Sequence, residues 1–198
     1  MSTRVLFGLT AVVLLVYPLG ARSDEPTAKD EQMTCEQFQD KFPTQGNTEV
    51  KFSTTNPTDS MFDKQQVNPQ WMCIKFNADG RNNYKVTATI NSSFHRWVVI
   101  DKEKNCESVA KRVNDAVKRF EQEHIDDVKP TLDEFNKKLD DDVISKEFCG
   151  DNLNDTKNKV KSAGNNVAEH ADTAFDGKAK DHDLGGKHTV NYNCSCAK

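Results

Sequence analysis

The segment Tyr84–Ile90 constrains the fold most strongly, because its apolar and polar residues alternate strictly. A period of two residues is typical of a β-strand with one buried face and one solvated face. Apolar segments stand on both sides of it, beyond turn-forming residues at 77–83 and 91–93. Because short turns join antiparallel neighbours, we predict a three-stranded meander from Trp71–Phe76, Tyr84–Ile90 and Phe94–Ile100.

A meander alone is too thin to be stable, so the following helices must supply a second layer. Residues 105–128 have apolar side chains at helical spacing, with polar residues between them. This pattern predicts a long amphipathic helix that Pro130 ends. We expect Val113, Val117 and Phe120 to pack against the meander.

Weaker patterns predict the remaining elements. The segment 54–68 is expected to be a variable surface loop. A helix is predicted at 35–42, where Thr34 and Gln37 resemble a capping box, and another at 131–139, where Thr131 and Glu134 resemble a second one. A weaker helix is predicted at 156–175, and further strands at 50–52 and 187–194. The predicted fold class is therefore α+β: an antiparallel meander of three to five strands packed against two or three amphipathic helices and linked by disulfides.

The first 23 residues have the layout of a secretory signal peptide. Arg4 precedes an apolar run at 5–19, and small residues stand before a cut after Ser23. The alternative is a membrane anchor, but about 15 apolar residues are short for a helix that needs roughly 20 to span a bilayer. We expect a secreted, extracellular protein without a membrane segment, divided into a signal peptide at 1–23, a flexible acidic tail at 24–33 and a single α+β domain at 34–198.

Six cysteines follow the predicted cleavage point, an even number that predicts three disulfides in an oxidising compartment. We expect Cys194 and Cys196 to take separate, distant partners. A metal site formed by these two cysteines with His182 and His188 is the weaker alternative. The cysteines are Cys35, Cys73, Cys106, Cys149, Cys194 and Cys196.

Three asparagines begin sequons for N-glycosylation: Asn91, Asn154 and Asn193. Asn91 lies on the predicted turn at 91–93, where a glycan would be solvated. Asn193 ranks last because a cysteine stands next to it. We expect about two of the three to be glycosylated.

Charge argues against two classes of partner. The formal net charge is −4, and it becomes −6 when Arg4 and Arg22 leave with the signal peptide. A mildly acidic protein has no electrostatic reason to bind nucleic acid or an anionic membrane.

Signatures of catalysis are absent from the sequence. It contains no Gly-x-Ser-x-Gly, no His-Glu-x-x-His and no glycine-rich phosphate loop. A calcium loop around Asp79-Gly80 would have Lys75 and Val86 where acids are required. His95 and His124 are interpreted as a surface residue and a helix-end residue. We therefore predict no catalytic residue, no cofactor and no metal.

Cysteine-bearing segments and the overall composition resemble secreted salivary proteins of blood-feeding arthropods. Trp71-Met72-Cys73-Ile74 and Lys104-Asn105-Cys106-Glu107 are similar to cysteine-bearing strands of tick lipocalins. The signal peptide, acidic tail, spaced cysteines and sequons are similar to tick immunosuppressant and immunoglobulin-binding proteins. The first resemblance implies a carrier of a small amine or lipid. The second implies a non-enzymatic immunomodulator that sequesters a host immune protein.

A third class of function stays open. Gln65-Gln66-Val67 is similar to the inhibitory hairpin of cystatins, although Asn68-Pro69 stands where a glycine is expected. An unrecognised secreted enzyme or a protease inhibitor is therefore an alternative. For the preferred hypothesis, binding of a host extracellular protein, we expect the surface to combine the 54–68 loop with the Asp79-Gly80 turn.

Overall fold

The computed structural model describes residues 25–40, 46–101, 104–184 and 194. A 3₁₀ turn spans Asp59–Met61, and a π-helical turn spans Asp140–Ile144. The strands are β1 (Thr27–Met33), β2 (Gly46–Thr54), β3 (Phe62–Asn68), β4 (Trp71–Phe76), β5 (Val86–Val99) and β6 (Glu147–Gly150). The helices are α1 (Cys35–Asp40), α2 (Ala78–Asn83), α3 (Lys104–Asp126), α4 (Val128–Leu139) and α5 (Leu153–Leu184).

The described strands form two sheets of three, ordered β1-β5-β2 and β3-β4-β6. Small sheets, antiparallel except for the pairing of β1 with β5, pack on helices and confirm the predicted α+β class. β5 is the central strand of the first sheet. Its first part pairs antiparallel with β2, from Val86 opposite Thr54 to Phe94 opposite Gly46, and its last part pairs parallel with β1.

The predicted turn at 91–93 is wrong, because β5 passes through these residues without reversing. Asn91, Ser92 and Ser93 pair with β2, and the Ser92 hydroxyl lies 2.7 Å from Oγ1 of Thr48. This polar stretch has no glycine or proline, so it can continue a strand wherever a neighbouring strand accepts its hydrogen bonds. The partner is distant in sequence, and local pattern does not identify it.

The turn-rich segment 77–83 also differs from the prediction, because it forms helix α2. The Asn77 side chain accepts a hydrogen bond from the backbone N–H of Gly80 at 2.9 Å, which caps the helix. Trp71–Phe76 is a strand as predicted, but α2 separates it from β5 and it joins the second sheet.

The predicted loose tail at 24–33 is an ordered strand over most of its length. Residues 27–33 form β1, whose side chains are mostly exposed up to the buried Met33. Arg96 on β5 donates two hydrogen bonds to Asp30, at 2.6 and 2.7 Å, and holds the pKa of that carboxyl below its usual range. The sequence pattern did not predict this strand, because its residues are polar. The residue that stabilises it, Arg96, lies on another strand.

Side chains from three helices complete the open edges of the first sheet. Asn136 on α4 bonds both the N–H and the C=O of Val86, where β1 does not reach. Asn114 on α3 does the same for Trp97, beyond the end of β2. Asp172 on α5 accepts the N–H of Phe52 at 2.8 Å. An unpaired backbone group is costly when buried, so these contacts fix the helices against the sheet.

Two hydrophobic cores lie between the sheets and the helices. The larger one joins residues of both sheets, such as Phe52, Ile74 and Phe76, to α4 and α5. The smaller one packs Val113 and Val117 of α3 against the last part of β5 and against β1 and α1. The predicted packing of these two valines on a strand is confirmed, although they contact Phe94, Trp97 and Val99 rather than Tyr84–Ile90. Phe120 is also buried.

Helix boundaries differ from the prediction at one proline. The first long helix ends at Asp126, and α4 begins at Val128 with Pro130 in its first turn. Proline is tolerated there because the first N–H groups of a helix have no intrahelical acceptor. Thr131, predicted to cap this helix, is buried inside it and donates its hydroxyl to the Asp127 carbonyl at 2.8 Å.

Other local predictions have mixed outcomes. At the start of α1, Thr34 and Gln37 exchange the two reciprocal hydrogen bonds of a capping box, as predicted. The predicted loop at 54–68 contains β3. The predicted weak helix at 156–175 lies inside the 32-residue α5. The predicted last strand at 187–194 lies outside the described residues except for Cys194.

Two glycines of α5 differ in the space around their Cα atoms. Gly164 is buried, and a Cβ there would overlap the Tyr84 hydroxyl, whereas a Cβ at Gly177 would meet nothing within 4 Å. We predict that Gly164→Ala destabilises the protein by about 1–3 kcal/mol through overpacking. Gly177→Ala should stabilise it by about 0.5–1 kcal/mol, because alanine favours the helix. Urea unfolding of both variants measures the two effects.

The double variant Gly164→Ala/Tyr84→Phe provides the control for this prediction. Removal of the hydroxyl relieves the main overlap and should recover part of the lost stability. Equal stabilisation by both alanine substitutions would contradict the close contact between α5 and Tyr84.

Candidate functional site

Cys73 and Cys149 form one disulfide between neighbouring strands. They are register partners on β4 and β6, with Cα atoms 4.0 Å apart. Because 76 residues separate them in sequence, this bond ties the short strand β6 to the β3–β4 hairpin. The prediction of disulfides is confirmed for this pair.

Cys35, Cys106 and Cys194 meet at one point, where α1 and α3 begin. Their sulfur atoms all lie within 4.8 Å of one another. The Cα atom of Cys106 is 5.7 Å from that of Cys35 and 5.2 Å from that of Cys194, and both distances suit a disulfide. Because a sulfur atom forms only one disulfide, Cys106 bonds one of these two partners and the other is left for a further cysteine. Cys196 lies outside the described residues.

Metal binding at these positions is the weaker alternative. The described groups that could hold a cation are the same three cysteines, and Cys73 with Cys149 and Glu147. A cysteine in a disulfide has no thiolate to offer a metal, and cysteines at bonding distance favour disulfides in an oxidising compartment. The side chains of His182 and His188, which the alternative metal site requires, lie outside the described residues.

Two of the three sequon asparagines are exposed. Asn91 lies on β5, opposite Glu49 of β2, on the solvent face of the first sheet. Asn154 is exposed in the first turn of α5, while Thr156 of the same sequon is buried and donates to the Met72 carbonyl at 3.2 Å. Asn193 lies outside the described residues. Both placements leave room for a glycan.

The two segments predicted to form a binding surface are brought together. The Asn77 side chain donates to the Ser60 carbonyl at 2.7 Å, and the Thr55 hydroxyl donates to the Asn83 carbonyl at 3.0 Å. A Cβ at Gly80 would clash with the Met61 carbonyl, so glycine permits this close contact between α2 and the 3₁₀ turn. Segments 54–68 and 78–83 therefore form one continuous surface.

Strand β3 is the most exposed element of this surface. Phe62 is buried, and every other residue of the strand is exposed on both faces. Its partner strand β4 begins with Trp71, which is 41% exposed, after a two-residue turn. We call residues 65–72 the hairpin tip. The binding surface predicted from the sequence included β3 as part of the 54–68 loop. It did not include Trp71, which was assigned to the meander. The uncharged run that follows Lys64 is the signal that could have identified the tip.

Ion pairs hold the base of the hairpin on α5. Asp59 contacts Lys157 at 2.6 Å and Lys64 at 3.3 Å, and these two ammonium groups lower the pKa of its carboxyl. Lys159 contacts Asp155 at 3.0 Å and lies 5.8 Å from the centre of the Trp71 ring. Charged groups therefore surround the hairpin at its base and along its α5 side.

Histidines have structural contacts in the described residues. Nδ1 of His95 lies 3.3 Å from a carboxylate oxygen of Glu31 on the adjacent strand, and its ring stacks on Trp97. This agrees with the cross-strand surface role predicted for His95. His124 is buried near the end of α3, as expected for a residue on the apolar side of the helix.

Between the sheets and the helices, the described residues form two clusters of buried hydrophobic side chains. A small-molecule carrier binds its ligand in a concave, mostly apolar site. Two open grooves lie on the surface of the described residues. One, of about 740 Å³, runs along polar residues of α5 such as Asn158 and Asn166. The other, of about 500 Å³, lies between α3 and the end of β5.

We predict that the mature protein has no free thiol, because every described cysteine lies at disulfide distance from another. Intact-mass measurement after alkylation without reduction should show no added label. Peptide mapping should recover Cys73 bonded to Cys149, and Cys106 bonded to Cys35 or Cys194. Two or more alkylated cysteines would contradict the prediction. The double variant Cys73→Ser/Cys149→Ser should lose about 2–4 kcal/mol of stability, measured by urea unfolding.

In comparisons with known proteins, no family model, curated protein or solved structure matches the chain. Among the described helices, none is long and apolar enough to cross a membrane.

Proposed function

We propose that the chain is a secreted, non-enzymatic binding protein that sequesters a host immune protein, in the manner of a salivary immunomodulator. The signal-peptide pattern and the disulfide-bonded cysteines support secretion. The absence of catalytic motifs from the sequence supports binding rather than chemistry. The binding surface combines residues 54–68, α2 and the hairpin tip.

The exposure of β3 is the observation that carries this proposal. Ordering a residue costs about 1–2 kcal/mol of backbone entropy, which burial normally offsets. β3 buries Phe62 and little else, yet the chain keeps it as an ordered strand paired with β4. A strand that adds so little to the core is available for contact with another molecule, and exposed connecting segments commonly carry function.

The two other functions suggested by the sequence have less support. A carrier of a small amine or lipid binds its ligand in a concave apolar site, whereas the groove along α5 is mostly polar and the groove between α3 and β5 is open and includes charged residues such as Arg96 and Glu107. Covalent catalysis by a serine, threonine or cysteine needs that nucleophile beside a positioned base. His95 contacts Glu31 and the Trp97 ring, and neither of these contacts supplies such a nucleophile.

Capture from plasma tests the proposed function. We predict that the immobilised full-length mature protein retains a specific protein from host plasma. Replacing residues 66–70 by an Asn-Gly turn should lower the retained amount at least about tenfold, because it removes most of the tip. Mass spectrometry of the eluate measures this amount.

A charge-swapped variant of the first sheet is the matched control. Glu49→Lys/Lys51→Glu changes two exposed side chains of β2, which is in a different sheet from the hairpin, and preserves the net charge. It should retain the same protein as the wild type. Retention of no protein by the wild type would refute the proposed function, and native mass spectrometry showing only a bound amine or lipid would favour a carrier.

A further inference from the structure

Cys106 lies within bonding distance of two other cysteines at the point where α1 and α3 begin. Its Cα atom is 5.7 Å from that of Cys35 and 5.2 Å from that of Cys194. A disulfide accommodates Cα separations of about 4.4–6.8 Å. The sulfur atoms of Cys35 and Cys194 lie 3.9 Å apart. Either of these two cysteines can therefore bond Cys106 with the backbone in the same place.

Contacts other than a disulfide hold the backbone of these three residues. The N–H of Cys35 donates to Oδ2 of Asp101 at 2.7 Å. The Gln39 side chain donates to the carbonyl oxygen of Cys194. Cys106 belongs to the first turn of α3, which packs into the smaller core. The positions of α1 and α3 therefore do not depend on which of the two bonds is present.

The exposure of the three cysteines determines where a thiol can attack. Cys35 and Cys106 are fully buried, whereas Cys194 is half-buried. An incoming thiolate therefore reaches the sulfur atom of Cys194, and Cys106 is the group that leaves. The N-terminal end of a helix stabilises the negative charge of a thiolate, so the first turn of α3 makes Cys106 a good leaving group.

The Cys73–Cys149 disulfide offers no such alternative partner. Its two cysteines are register partners on β4 and β6, and the described group beside their sulfur atoms is the carboxylate of Glu147 rather than a third cysteine. A carboxylate cannot replace a sulfur atom in a disulfide. This pair should therefore stay intact while Cys106 changes its partner, which makes it an internal reference.

From these observations we infer that Cys106 is a switching cysteine, which exchanges a disulfide to Cys194 for a disulfide to Cys35. With Cys194 as the partner, α3 is bonded to the C-terminal end of the chain. With Cys35 as the partner, α3 is bonded to α1, and Cys194 is released from α3. This switch regulates the attachment of the C-terminal end, and it does not depend on the proposed function.

The exchange involves no net oxidation when Cys196 takes the remaining partner and a small thiol such as glutathione is the catalyst. The thiolate of the catalyst attacks the sulfur of Cys194, the bond to Cys106 breaks, and the electron pair stays on Cys106. The Cys106 thiolate then attacks the sulfur of Cys35, which releases Cys196 as a thiolate. That thiolate bonds Cys194 and displaces the small thiol, which regains the proton that it lost on attack.

Two double variants of the full-length mature chain fix the two states. Cys35→Ser/Cys196→Ser leaves Cys194 as the partner of Cys106, and Cys194→Ser/Cys196→Ser leaves Cys35. We expect neither variant to contain a thiol that can be alkylated, because both bonds fit the same backbone. Amide hydrogen exchange should give both variants the same protection in β5 and α3. An alkylated Cys106 in either variant would overturn the inference, since only one bond would then fit the fold.

The single variant Cys196→Ser detects the exchange without an added thiol. One disulfide and one thiol then share the three cysteines, so the thiolate of Cys35 attacks Cys106 and the electron pair leaves on Cys194. Acid quenching followed by N-ethylmaleimide in denaturant should place the label on both Cys35 and Cys194, with at least about 5% on the minor site. Label confined to one of them would contradict the switch.

Prolonged labelling of the same native variant distinguishes exchange from two fixed populations. The thiol of the half-buried Cys194 is the one that the reagent reaches, and exchange replenishes it from molecules whose thiol is on Cys35. The whole population should therefore become labelled at Cys194, with Cys35 bonded to Cys106. A fraction that stays unlabelled would show two fixed populations and overturn the inference.

The wild type tests the complete exchange with a substoichiometric amount of reduced glutathione at neutral pH under nitrogen. Peptide mapping after an acid quench should find Cys106 bonded to Cys35 in some molecules and to Cys194 in others. The ratio should be the same for natively purified protein and for protein reoxidised after complete reduction, with Cys73 still bonded to Cys149. A single partner of Cys106, a ratio that differs between the two samples, or a new partner of Cys73 would each overturn the inference.

Discussion

The hydrogen-bonding needs of β5 govern the rest of the structure. This strand is 14 residues long and has a full-length partner on neither side, since β2 pairs with its first part and β1 with its last. The backbone groups left over at Val86 and Trp97 are bonded by Asn136 and Asn114 from two different helices. Each asparagine presents a donor and an acceptor together, as a neighbouring strand would. The positions of α3 and α4 follow from this requirement.

The same strand separates two cores. In its first part Val86 belongs to the larger core, whereas Phe94, Trp97 and Val99 of its last part belong to the smaller core. Within the smaller core the buried positions shift by one residue between Phe94 and Trp97, beyond the end of the pairing with β2. The first part faces α4 and α5, and the last part faces α3. β5 therefore packs against two layers of helices.

The second sheet has a different relation to the core. Its inner residues Ile74 and Phe76 join the larger core, and the Cys73–Cys149 disulfide and the Asp59 ion pairs fasten its outer parts. Beyond that attachment the β3–β4 hairpin extends with little burial. Stability and the proposed binding surface are therefore located in separate parts of the molecule, so the tip can vary without disturbing either core.

The features that could be predicted from the sequence depend on interactions between residues close together in the chain. The capping box of Thr34 and Gln37, the amphipathic face of α3 and the strand character of Trp71–Phe76 and Tyr84–Ile90 depend on residues a few positions apart, so periodicity was enough to find them. The α+β class followed from these elements. Tertiary structure alone decided that β5 continues through Asn91, that the polar residues of β1 form a strand, and that Cys106 meets both Cys35 and Cys194. It also left Val67 and Trp71 exposed, one on each strand beside the turn. The reason is that strand partners, disulfide partners and open sheet edges depend on residues far apart in the chain, and their hydrogen bonds and contacts leave no local period in the sequence.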